Sequence, residues 1–180
     1  MPLFVLGQML YANGQVTNEP PEGFVEKRAT QPATLTLDQA VAVKVQNNQR
    51  LTKNLKSLIW DDALAANAQQ WANYLASINN LMHSTSDQRP NQGENLAYSY
   101  NSNGVTYPLT QGAQGWVAEV SNYHNEIIPQ GNFASYGHYT QVMWSSTNRI
   151  GMANATAANG GVYIVARYSP PGNYVGYRPY

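Results

Sequence analysis

The stretch Gly137-His138-Tyr139-Thr140-Gln141-Val142-Met143-Trp144 sets one of only three histidines between a glycine and a tyrosine, directly ahead of an apolar run. An imidazole in that setting is either a turn residue or half of a site completed from elsewhere in the chain. Val142, Met143 and Trp144 read as the core that holds it. The other histidines, in Met82-His83-Ser84 and Tyr123-His124-Asn125, each follow a predicted helix, whose negative end an imidazole complements. Glutamate is as scarce: beyond residue 34 only Glu94, Glu119 and Glu126 occur. Glu94 follows a glycine that permits close backbone approach, in Gln92-Gly93-Glu94-Asn95-Leu96. Glu119 stands three residues after Trp116 on one helix face, either as a partly buried acid with a partner or as a surface residue.

Around these residues the pattern is one of helices first and strands last. Thr36 and Gln39 have the capping-box spacing and open a helix predicted over Leu37–Asn54, with Leu37, Ala40, Val41, Val43 and Val45 leaning to one side. Asp61 and Asp62 start a second helix, whose Leu64, Ala68, Trp71 and Leu75 form one buried stripe; Trp60 and Trp71 are core. A third helix is predicted over Thr110–Tyr123, after a polar loop around Asn103-Gly104. Ile150–Thr156 and Gly161–Ser169 flank Asn159-Gly160 as a hairpin. The proline- and glycine-rich tail from Ser169 to Tyr180 suits an ordered loop. The pattern predicts an α+β domain over 35–180 with helices packed on a sheet. Residues 1–34 read as a leader or extended arm, a remnant signal peptide whose Lys27-Arg28 pair is open to a processing protease.

Ten acidic and ten basic residues cancel and no basic cluster forms, so nucleic acid is excluded as a partner. No apolar run approaches the roughly 20 residues needed to span a bilayer, which leaves a soluble chain that touches at most a membrane surface. Charged residues are 11% of the chain against roughly 25% in typical domains, a composition more extracellular than cytosolic. There is no cysteine, so stability rests on packing and hydrogen bonds. Asn154-Ala155-Thr156 is a sequon, read as a surface turn that accepts glycan if the chain is secreted.

The chain resembles the CAP superfamily of cysteine-rich secretory, antigen 5 and pathogenesis-related 1 proteins, most closely its pathogenesis-related 1-like and fungal-type members. The resemblance covers about residues 40–180 and rests on the 137–144 stretch, Gly93-Glu94-Asn95-Leu96, His83-Ser84, Trp116 with Glu119, and Tyr168-Ser169-Pro170-Pro171-Gly172-Asn173-Tyr174. It implies a three-layer α-β-α sandwich with a central antiparallel sheet and a cleft lined by His83, Glu94, Glu119 and His138. Two imidazoles and two carboxylates suit zinc or another divalent cation, and equally a hydrogen-bonded network without metal. Departures from the family are Gln46 where a histidine is common, and Met152 and Ala166 where secreted members commonly carry cysteine.

The resemblance also implies a secreted, non-catalytic, monomeric binding protein for sterols or fatty acids, acting in defence, virulence or lipid export, with Tyr98, Tyr100 and Tyr107 as lipid contacts. The alternative is a metal-assisted hydrolase with Glu119 as base beside His138 and Ser84 or Ser135 as nucleophile. Neither Gly-x-Ser-x-Gly nor His-Glu-x-x-His occurs to support it.

Overall fold

Thr36 caps the first helix as its spacing predicts: its Oγ1 accepts from Gln39 N at 3.2 Å, and the Gln39 side chain accepts from Thr36 N at 2.9 Å. The computed structural model describes residues 34–180; the leader with its Lys27-Arg28 pair lies outside the described residues, Thr34 excepted. Helix α1 spans Leu37–Leu51, three residues short of the expectation, because the chain turns at Thr52–Asn54 and Asn54 adopts a positive φ of 55°. Strand β1 is Ile59–Trp60, α2 is Asp62–Ile78, β2 is Gly93–Ser99 and α3 is Pro108–Ala118. Helix α4, Gly137–Val142, precedes strands β3, Arg149–Thr156, and β4, Val162–Ser169. The third helix therefore begins earlier than expected, at a proline suited to a first helical turn. It ends at Ala118 in a 3-10 turn over Glu119–Asn122 rather than running to Tyr123.

The sheet runs β1-β3-β4-β2. The predicted hairpin pairs Arg149 to Ser169 through Thr156 to Val162, and β2 adds antiparallel on the other side of β4. Two-residue β1 extends the opposite edge in parallel. Alternate residues serve opposite faces. Ile150, Met152, Ile164, Ala166 and Tyr168 join Leu109, Ala113, Trp116 and Val142 in one core. Ala153, Tyr163, Val165 and Leu96 join Ala68, Trp71 and Leu75 of α2 in the other. The three layers are thus α2, the sheet, and α1 with α3 and α4. At Gly151 a Cβ would lie 2.0 Å from the Ala65 backbone nitrogen, so glycine sets how closely α2 approaches β3.

The inward face of α1 is only partly the aliphatic stripe read from the sequence, with Val43 and Val45 packed half-buried against the core. Leu37 and Ala40 are exposed, whereas Ala42, Gln46 and Arg50 are buried. Polar side chains can occupy a core when every donor has a partner, and Arg50 does. Its Nε donates to Lys56 O at 2.7 Å, Nη1 to Val142 O at 2.7 Å and Trp144 O at 2.9 Å, and Nη2 to Thr147 O at 2.8 Å. Burial pulls the guanidinium down to about 10, so it stays charged at neutral pH. One side chain thus joins α1, the loop after it, the end of α4 and the loop that leads into β3. Among the described residues no helix is long and apolar enough to cross a membrane.

Arg50→Met keeps the volume and removes the donors, leaving the carbonyls of Lys56, Val142 and Thr147 without them, while Trp144 O keeps the Thr147 amide at 3.1 Å. Urea unfolding should show a loss of at least about 3 kcal/mol. An unchanged midpoint would show that Arg50 does not hold these segments together.

Candidate functional site

Two imidazole–carboxylate pairs face one cleft. His83 comes from the loop after α2 and Glu94 from the start of β2; their Nδ1 and Oε1 atoms lie 2.7 Å apart. His138 comes from the first turn of α4 and Glu119 from the end of α3, again with Nδ1 and Oε1 2.7 Å apart. The cleft is a cavity of about 450 Å³ lined by His83, Arg89, Glu94, Phe133, His138 and Gln141 among others. Glu119 sits behind His138 and does not line it.

Each carboxylate is held in several ways. Glu94 accepts from Ser84 N at 3.0 Å and Ser84 Oγ at 2.8 Å, and pairs with Arg167 Nη2 at 3.1 Å. Both Glu94 and Arg167 side chains are nearly inaccessible, 1% and 2% exposed. Strand register explains the meeting, since Glu94 and Arg167 are direct partners across β2 and β4. Burial alone would raise the Glu94 carboxyl, but hydrogen bonds from His83 and Ser84 and the Arg167 charge outweigh it and hold the group below its ordinary value. Burial lowers Arg167 in turn, against the charge of Glu94. Glu119 uses its second oxygen on the amides of His138 and Tyr139, at 3.0 and 3.1 Å.

The rings are positioned from behind. Trp116 donates Nε1–H to Leu96 O at 3.0 Å, and its ring lies 6.2 Å from that of His138. Asn95 donates to His138 O at 3.0 Å and to the Tyr168 hydroxyl at 3.3 Å, and that hydroxyl donates to Gln46 Oε1 at 2.7 Å. Sequence reasoning missed Arg167 and Asn95 as supports of the site; the signal available was an arginine inside an otherwise apolar strand. Gly93 is required where Gln141 crosses β2, since a Cβ there would lie 2.1 Å from Gln141 Oε1.

The resemblance set all four residues in one cleft, suited either to an ion or to a hydrogen-bonded network, and the structure joins them as two His–Glu pairs. Among the described residues no three His, Asp or Glu side chains converge as a metal-ligand cluster. The carboxylates are spent on Nδ1 and backbone amides, which leaves the two Nε2 atoms as the donors still open. Two imidazoles so fixed fit a divalent cation completed by water, with the carboxylates as outer supports. His124 lies apart, exposed, 3.7 Å from Glu126.

The hydrolase groups are otherwise occupied. Ser84 Oγ is buried between Glu94 and Arg167, and Ser135 Oγ donates to Asn132 O. The three tyrosines do not converge. Tyr98 belongs to β2, stacks edge-on to Tyr163 and lines a crevice of about 210 Å³ with Ala97, Gly112, Trp116 and Ile164. Tyr100 borders a separate depression beside Asn159 and Gly160, and Tyr107 caps α3 outside both. Asn154 lies within β3 opposite Ile164, with its carbonyl accepting from Gln69 at 2.9 Å, and not in a turn.

The family model described as the cysteine-rich secretory protein family (CAP) matches residues 43–168. A pathogenesis-related protein of PR-1 type from Sambucus nigra is 39% identical over 77% of this chain and 79% of its own length. Pathogenesis-related protein 1 from Arabidopsis thaliana is 37% identical over 77% and 80%. Among solved structures, NaASP2 with Zn2+ superposes with a TM-score of 0.70 at 22% identity, over 83% of this chain and 88% of that one. BmVAL-1 superposes at 0.67 and 24% identity, over 81% and 83%.

The depressed Glu94 carboxyl makes a pH-dependent contribution to folding. It is complete above the unfolded value of about 4.5 and is lost as pH falls toward the lower folded value. Urea unfolding with chelator present, from pH 7 down to 3, should show Glu94→Gln less stable at pH 7 by about 3 kcal/mol. The gap to the unsubstituted chain should narrow as pH falls. A gap independent of pH would show that the charge of Glu94 carries none of that stability.

Proposed function

The chain belongs to the cysteine-rich secretory protein (CAP) family, and from that premise we propose that it is a secreted binding protein whose cleft takes a divalent cation. The observation that carries the reading is the pair of Nδ1 contacts at 2.7 Å. With Nδ1–H donated to a carboxylate, each ring presents the Nε2 lone pair, as neutral metal-binding imidazoles do. His83 and His138 would hold the ion, and Glu94 and Glu119 would fix ring tautomer and direction. The zinc of the NaASP2 structure, a protein of the same fold, supports zinc as the ion. A bound ion would supply a positive centre able to polarise a ligand oxygen.

The second part of the proposal is a lipid ligand. The crevice between β2 and α3, about 210 Å³ beside Tyr98 and Trp116, suits an alkyl chain better than a fused ring system, which favours fatty acid over sterol. A serine-hydrolase reading finds no nucleophile–base pair among the described residues, since Ser84 and Ser135 are engaged elsewhere. The pathogenesis-related relatives support a role in defence.

Calorimetric titration of the full chain with Zn2+ should give saturable one-site binding. His83→Ala with His138→Ala should weaken it at least about 100-fold while circular dichroism stays unchanged, and Glu119→Gln about 10- to 100-fold. Equal affinity in the double variant would overturn the cation site. Titration with palmitate, ergosterol and a cholesteryl probe, with and without chelator, tests the lipid. Palmitate should saturate, and no saturable binding to any of the three would remove the lipid reading.

A further inference from the structure

One cation in the cleft has no dedicated counter-charge. Arg89 lines the cavity with His83 and His138. Its Nε donates to Ser84 O at 3.2 Å and its Nη1 to Gln92 O at 3.0 Å, both neutral acceptors. The nearest carboxylate oxygen, Glu94 Oε1, stands 3.9 Å from Nε, beyond hydrogen-bond reach. Glu94 is already filled by His83, both donors of Ser84, and Arg167. Among the described residues Nη2 of Arg89 makes no hydrogen bond, so a guanidinium anchored by two carbonyls keeps free donors beside the cavity.

The remaining lining decides what these donors would meet. Asn173 is engaged with Thr140 and Gly137, Gln141 with Gly172, and Asn95 with His138 O and Tyr168. Among the described residues that leaves Arg89, the two Nε2 atoms and Asn95 Oδ1 as lining side-chain groups without a hydrogen-bond partner, Arg89 alone carrying positive charge, and Phe133 and Ala134 as an apolar wall. With neutral imidazoles, Arg89 and Arg167 balance Glu94 and Glu119, so a divalent cation would leave the cleft positive. A planar two-oxygen anion matches the guanidinium fork.

We propose that the cleft is a carboxylate site in which Arg89 binds the head group and Phe133 and Ala134 receive the apolar body of the ligand. This rests on the cleft reading above and names its ligand class. Arg89 is a specificity residue, with no part in holding the ion.

Calorimetry of the full chain with hexanoate, hexanamide and inorganic phosphate, each with chelator and again with saturating Zn2+, tests it. Hexanoate should bind in both states and at least tenfold more tightly with Zn2+, while hexanamide should not bind. Arg89→Gln should weaken hexanoate at least tenfold in both states with Zn2+ affinity unchanged, and Arg89→Lys should restore part of the loss. Hexanamide binding as well as hexanoate, or Arg89→Gln binding hexanoate like the unsubstituted chain, would overturn the proposal, as would phosphate outcompeting hexanoate. Arg89-dependent hexanoate binding without any Zn2+ uptake would sink the cation reading and leave this one standing. Zn2+ uptake without hexanoate binding would do the reverse.

Discussion

A carboxylate that is 1% exposed is tolerable only if protein groups replace all the water it loses, and Glu94 meets that condition through several elements at once. Arg167 answers it from β4, Ser84 and His83 from the loop after α2. The requirement runs outward from there. The β2–β4 register must place residue 94 opposite residue 167, since a slip of β2 by one position would turn Glu94 to the face away from Arg167. The loop after α2 must return to the sheet so that the Ser84 amide reaches the carboxylate. His83 is consequently aimed by the same group that keeps the strand pair in register, so a cleft residue is fixed by a folding constraint.

The second half of the cleft is held by the opposite device, a buried cation without a carboxylate. Arg50 binds the carbonyls of Val142 and Trp144, which lie at the free C-terminal end of α4 where the helix leaves acceptors unfilled. Helix α4 is only six residues long, too short to be stable on its own, yet it must carry His138. Its far end is anchored by Arg50, its first turn by the Glu119 carboxylate on the amides of His138 and Tyr139, and its flank by Asn95. Tyr168 links Asn95 to Gln46 through its hydroxyl, and burial keeps that phenol protonated far above neutral pH. This network gives Gln46 its role, since an amide oxygen accepts the Tyr168 proton at any pH.

Much of this was legible in the sequence, for identifiable reasons. The capping box of α1, the stripe of α2 and the hairpin at Asn159-Gly160 are local patterns, and each formed where the local chemistry put it. Strand β2 was not legible, because Gly93 and Glu94 look like loop residues until Gln141 and Arg167 are known to lie against them. The buried face of α1 was misread for the same reason: Gln46 and Arg50 look like surface residues unless partners about 100 positions away are counted. Scarcity singled out three histidines and three glutamates, and the family resemblance chose His83, Glu94, Glu119 and His138 among them, but neither gave their division into ring and support. That division depends on which nitrogen meets which oxygen, and spacing carries no such information.

Met152 and Ala166 stand where the family resemblance places cysteine. The two residues are direct partners across β3 and β4 and are both fully buried in the core beneath α1 and α3. The hairpin that carries them is closed by its own turn, in which Ala157 N donates to Gly161 O at 2.8 Å. Met152 instead fills its space with an adaptable thioether whose sulfur accepts from Gln46 Nε2 at 3.4 Å. The glutamine that takes the place of a histidine therefore touches both a residue that takes the place of a cysteine and the tyrosine leading to His138, so the two departures from the family meet in one packed layer behind the cleft.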